Sequence, residues 1–136
     1  MTRSKSGRRP PVHMIDSEAD ALTSLAIGIE DRLPEVSELL LDELSRATIH
    51  TADRIPADVV TMMSTVTFTD EASGAERSVQ LVFPKDADIS AGKISILTLI
   101  GAGLIGLRES QSIVWPDRSG HERVLRITSV TQPERA

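Results

Sequence analysis

The stretch VQLVFPKDADISAGKISILTLIGAGLIGLRESQSIVWP, residues 79–116, decides how the chain folds. Val79, Leu81 and Phe83 alternate with Ser78, Gln80 and Val82, the period of two that marks a strand with one buried face. Pro84 ends that strand, and Asp86-Ala87-Asp88 makes a short acidic loop. Residues 91–96 read as a turn running into an extended apolar segment. The small residues Gly101, Ala102, Gly103 and Gly106 predict a short helical turn over residues 100–107. Ile100, Leu104 and Leu107 would pack it closely onto a sheet. A glycine inside a helix costs about 1 kcal/mol relative to alanine, so close packing or a partner has to compensate. Residues 111–115 turn extended again.

Working outward, residues 62–69 alternate Met62, Val66 and Phe68 against Thr61, Thr65, Thr67 and Thr69, a half-buried strand rich in β-branched residues. With Glu71-Ala72-Ser73-Gly74 as its turn, it pairs with the strand through Val79 as an antiparallel hairpin. A second hairpin sets Ile113 and Trp115 against Leu125 and Ile127, with residues 117–120 as its loop. Upstream the period lengthens. Leu22, Leu25, Ala26, Ile29 and Leu33 form one helical stripe, predicting a helix over residues 17–32 capped by Asp16 or Ser17. Pro34 stops it and opens a second helix with the stripe Val36, Leu40, Leu44 and Ala47. The two make a helical hairpin with arms of about 20–24 Å. Residues 47–56 read as a linker with a possible short strand, and residues 132–136 as a polar tail.

Composition bounds the function. The chain has 136 residues, 40% of them hydrophobic, enough for one cored domain with an appendage. It holds no cysteine, so disulfides and thiolate zinc sites are excluded. No apolar run reaches the length of a membrane span, and the basic start has no apolar region behind it as a secretory signal would. A cytoplasmic protein is expected. The formal net charge is −5, with Arg3, Lys5, Arg8 and Arg9 giving the first 15 residues +4 and leaving −9 for the rest. An acidic body argues against nucleic acid as the main partner. Residues 1–12, rich in Arg, Ser, Gly and Pro, are expected to be a disordered, solvated tail.

No catalytic constellation stands out. Gly101 to Gly106 spells G-x-G-x-x-G, but a dinucleotide site needs it to open a full helix in a parallel crossover, and its surroundings alternate like an antiparallel sheet. His13, His50 and His121 lie in separate segments without ligand spacing. Three aromatics, Phe68, Phe83 and Trp115, make no base-stacking platform. Glu30, Asp31, Glu35 and Glu38 gather near the hairpin tip, where a solvated polar face is the simpler reading than a metal site. No cofactor, metal or catalytic residue is expected, and a binding module is.

The run Gly92-Lys93-Ile94-Ser95, then Ile100-Gly101-Ala102, Leu104-Ile105-Gly106-Leu107 and Gln111-Ser112-Ile113, is similar to the C-terminal domain of the Gre transcript-cleavage factors. The chain resembles the Rnk family, regulators of nucleoside diphosphate kinase, more fully. That resemblance extends through Leu33-Pro34, residues 43–47 and residues 55–62, and covers roughly residues 12–131. It implies an FKBP-like α+β domain over residues 48–131, an antiparallel sheet with one short helix, preceded by a short helical hairpin or coiled coil over residues 13–47. It also implies binding to RNA polymerase near the secondary channel, so that any contact with DNA is indirect. The docking loop would be Thr98, Leu99, Ile100 and Gly101, and the hairpin tip Glu30, Asp31 and Glu35. The family usually has proline where this chain has Leu99, which leaves a freer and more apolar helix start. Together these imply a monomeric, non-enzymatic regulator that competes with Gre factors without stimulating cleavage. The alternative is an FKBP-like module for a small molecule or peptide, with little or no prolyl isomerase activity.

Overall fold

The computed structural model describes residues 11–116 and 122–134, the side chains of Ile113, Trp115, Pro116 and Arg123 excepted. The expectations for residues 117–120, for Trp115 and for most of the basic tail lie outside the described residues. The tail expectation is corrected at its inner end, because Val12 is buried in the core.

Two helices form the predicted hairpin, α1 at Asp16–Gly28 and α2 at Pro34–Arg46. Leu22, Ala26 and Ile29 of the first stripe and Val36 and Leu40 of the second are buried, so the helical period puts them in the core. Leu33 is exposed instead, because α1 ends at Gly28 and residues 29–33 form the connecting turn. Nor does Asp16 or Ser17 cap the helix. Ile15 is the N-cap residue, and the Asp16 carboxylate accepts only from the adjacent Ser17 N–H. Pro34 opens α2 as expected, its fixed φ suiting a position whose N–H has no helical partner. Ser37 is buried at the crossing and donates its hydroxyl to the Ala26 carbonyl at 2.7 Å, tying α2 to α1.

Among the described residues there are seven strands: β1 (His13–Ile15), β2 (Thr48–His50), β3 (Thr65–Asp70), β4 (Glu76–Val82), β5 (Lys93–Ser95), β6 (Ser112–Pro116) and β7 (Glu122–Thr131). The main sheet runs β5-β4-β3-β7-β6. Both predicted hairpins are present, β3 against β4 and β6 against β7, with Ile113 opposite Leu125. The sheet is mixed rather than antiparallel, because β5 pairs with β4 in parallel. Strand alternation reports which face a residue takes and says nothing about direction. Residues 61–64 also depart from the strand expectation. Met63 sits at φ 69°, and the Thr61 and Ser64 hydroxyls bond each other at 2.8 Å inside a buried turn. β3 therefore starts at Thr65.

Two short segments flanking the hairpin, β1 and β2, pair in parallel and close its root. The remaining helix, α3 (Leu99–Leu104), packs against α2. Hairpin, α3 and sheet share one hydrophobic core, to which Leu40, Leu81, Ile96, Leu104 and Ile127 each contribute a fully enclosed side chain. The architecture is α+β, with a helical hairpin ahead of a mixed sheet.

A polar contact also ties the hairpin to the buried turn before β3. The Glu18 carboxylate on α1 accepts from the backbone N–H of buried Met62 at 3.0 Å. Glu18→Ala removes the acceptor, and a buried donor left unpaired costs about 1–3 kcal/mol. Denaturant unfolding should register a loss of that size, while Glu18→Gln, whose amide oxygen still accepts, should lose clearly less.

Candidate docking site at the start of the short helix

Four residues after β5 ends at Ser95, α3 opens on an exposed apolar side chain, Leu99. Its geometry is set by Ser95 and Thr98. The Thr98 hydroxyl donates to the Ser95 carbonyl at 2.8 Å and accepts from the Gly101 N–H at 3.0 Å, so one side chain closes the turn and caps the helix. The Ser95 hydroxyl oxygen accepts from the Leu97 N–H at 3.0 Å, fixing the bend that leaves β5. A side-chain oxygen at this position satisfies a helix-terminal donor that has no partner within the helix.

The four residues read from the sequence as a docking loop then divide by role. Thr98 is exposed and caps the turn. Leu99, the first helical residue, is 39% exposed. Ile100 is half-buried against the core. Gly101 is buried, and a Cβ there would collide with the Ser95 backbone carbonyl. Gly101 therefore permits the close approach, and Leu99 is the apolar side chain of the four that stays exposed. Ala102 and Gly103 are buried as their size suggested, but the element that α3 packs against is chiefly α2 rather than the sheet.

Glu30 and Asp31 lie exposed in the turn between the helices, and Glu35 lies exposed in the first turn of α2. Among the described residues no group of three His, Asp or Glu side chains is placed to hold a metal ion. Among them, too, no helix is long and apolar enough to cross a membrane.

One juxtaposition was missed in the sequence. His13 Nδ1 lies 3.0 Å from His50 Nε2 across the β1–β2 pair. The separated histidines are therefore brought together by strands too short to betray a period. The available signal was positional: His-Met-Ile and Thr-Ile-His are β-prone triplets that immediately flank the two helical stripes.

Residues 55–132 match the family model for the C-terminal domain of the transcription elongation factors GreA and GreB. The sheet and α3, with the loop just described, fall inside that match. The chain belongs to this GreA/GreB C-terminal family. Its similarity runs almost end to end with the regulator of nucleoside diphosphate kinase of Escherichia coli (strain K12): 32% identity over 129 residues, covering 94% of this chain and 95% of that protein. The transcription elongation factor GreA of Azorhizobium caulinodans is 34% identical over 98 residues, covering 72% of this chain but 60% of that protein. A solved GreA/GreB-type elongation factor from Nitrosomonas europaea superposes with a TM-score of 0.74 at 37% identity, covering 90% of this chain and 99% of that one.

Proposed function

We propose that this chain is a non-enzymatic regulator of transcription, acting as a monomer that docks on RNA polymerase near the secondary channel through the start of α3. The observation that carries this reading is Leu99, an apolar side chain 39% exposed on a turn held rigid by the Thr98 cap and the Gly101 close approach. A preorganised apolar anchor loses little entropy on binding, which is how a small surface yields useful affinity. Membership of the GreA/GreB C-terminal family supports polymerase as the partner. The name of the Escherichia coli relative supports an effect on nucleoside diphosphate kinase, which we place at the level of transcription.

The hairpin sets what kind of regulator this is. Each helix has 13 residues, about 20 Å at 1.5 Å per residue. Gre factors carry a longer coiled coil whose acidic tip reaches the polymerase active centre, and metal-assisted hydrolysis needs carboxylates within about 2.0–2.6 Å of the ion. From the channel rim, Glu30, Asp31 and Glu35 on a 20 Å arm fall short. The protein then occupies the Gre site without stimulating cleavage. Supplied in saturating amount to a stalled elongation complex, it should yield no shortened transcript above the no-factor control. Cleavage that appears with the protein and vanishes in Glu30→Ala/Asp31→Ala would contradict this.

A further inference from the structure

We propose that His13 and His50 form a pH-sensitive clasp that closes the root of the helical hairpin at neutral pH and opens it in mild acid. β1 runs directly into α1 and β2 follows α2 after one residue, so the two strands are the two ends of the hairpin brought side by side. Their backbones pair in parallel, and the Thr48 N–H donates to the Val12 carbonyl at 2.8 Å. On its other side β1 is tied to the turn after α3, where the His13 N–H donates to the Gly106 carbonyl at 3.0 Å. Whatever loosens β1 therefore loosens both the hairpin root and its attachment beside the proposed docking helix.

Proton counting makes the pair a switch. At 3.0 Å, one ring nitrogen donates and the other must be unprotonated to accept. The pair keeps its bond with one proton too many but not with two, when N–H faces N–H. The other charged groups acting on His13 are Arg108, on the segment after α3, and Asp58, on the segment before β3. Asp58 has little left to offer a second imidazolium. It is bound by Arg108 through Nε at 3.0 and 3.2 Å and through Nη2 at 3.0 Å. Burial first, then His50, then Arg108 hold His13 below the usual imidazole range, against a smaller upward pull from Asp58. The unfolded chain thus protonates first. The pair's contribution is complete above the ordinary histidine value of about 6.5 and is lost as pH falls from there through the lowered value.

The readout is hydrogen exchange at the Thr48 amide, corrected for the intrinsic rate at each pH. Between about pH 7.5 and about pH 5.5, where histidine changes charge, protection should fall about fivefold, the scale of one hydrogen bond. Amides of β3 and β7 should keep theirs, and His50→Gln, neutral throughout, should show no fall at Thr48. Thr48 protection that is constant with pH, or that falls equally in His50→Gln or together with β3 and β7, would overturn the clasp. Ring titrations of the unsubstituted protein by NMR decide independently, should His50→Gln not fold. The His13 ring should protonate below the ordinary histidine range, and its protonation at the ordinary value would refute the clasp.

Discussion

Gly106→Ala is expected to lower folding stability by about 2–5 kcal/mol, measured by denaturant unfolding, and to loosen α3 with it. Two costs combine. Gly106 sits at φ 83°, where a Cβ crowds its own backbone, a cost of about 1–2 kcal/mol. The added methyl would also collide with Val12 Cγ1, and it would meet the His13 carbonyl oxygen at 3.0 Å and the His13 nitrogen at 3.2 Å. Overpacking of this kind adds about 1–3 kcal/mol. Relief is difficult, since Val12 is buried and Gly106 itself donates to the Val60 carbonyl at 2.8 Å. Gly74→Ala separates the two costs. Gly74 has a similar φ of 76°, but nothing lies within 4 Å of its Cβ position, so only the conformational cost of about 1–2 kcal/mol should appear. Equal losses in the two variants would mean that the Val12–Gly106 contact is slack.

Leu99→Asp is expected to weaken polymerase binding by about 2 kcal/mol, roughly thirtyfold in Kd, without unfolding the protein. The side chain is 39% exposed and does not belong to the buried core, so folding asks little of it. A carboxylate placed where an apolar anchor should be desolvated is penalised as well as deprived of contact. Val114→Asp, at an exposed residue of β6 on the far edge of the sheet from β5, serves as the matched control and should bind normally. Equal binding by Leu99→Asp and the unsubstituted protein would place the docking surface elsewhere.

How much of this could be read without coordinates depends on the range of the interaction. The hairpin was legible because Leu22, Ala26 and Ile29, then Val36 and Leu40, repeat the helical period over several turns. The β3–β4 hairpin was legible because Val66 and Phe68, then Val79 and Leu81, alternate across a recognisable turn. The turn into α3 was partly legible. Small residues announced close packing of α3, yet only the folded chain divides Thr98, Leu99 and Gly101 into cap, exposed apolar side chain and close approach. Val82 falls on the polar face by alternation, yet it is fully buried. The parallel pairs were not legible, since direction leaves no trace in alternation and three-residue strands have no period to detect. Glu18 bonded to Met62 and His13 bonded to His50 are separated by 44 and 37 residues, and nothing local in either residue announces its partner.

On the proposed reading, this chain takes the Gre position on polymerase without the Gre activity. The decisive measurement is transcript cleavage by a stalled elongation complex, stimulated by a fixed amount of a Gre factor and titrated with this protein. Cleavage should decline as the protein is added, and Leu99→Asp should require roughly thirtyfold more for the same decline. Cleavage that stays at its starting level in a large excess of the folded protein would contradict the claim.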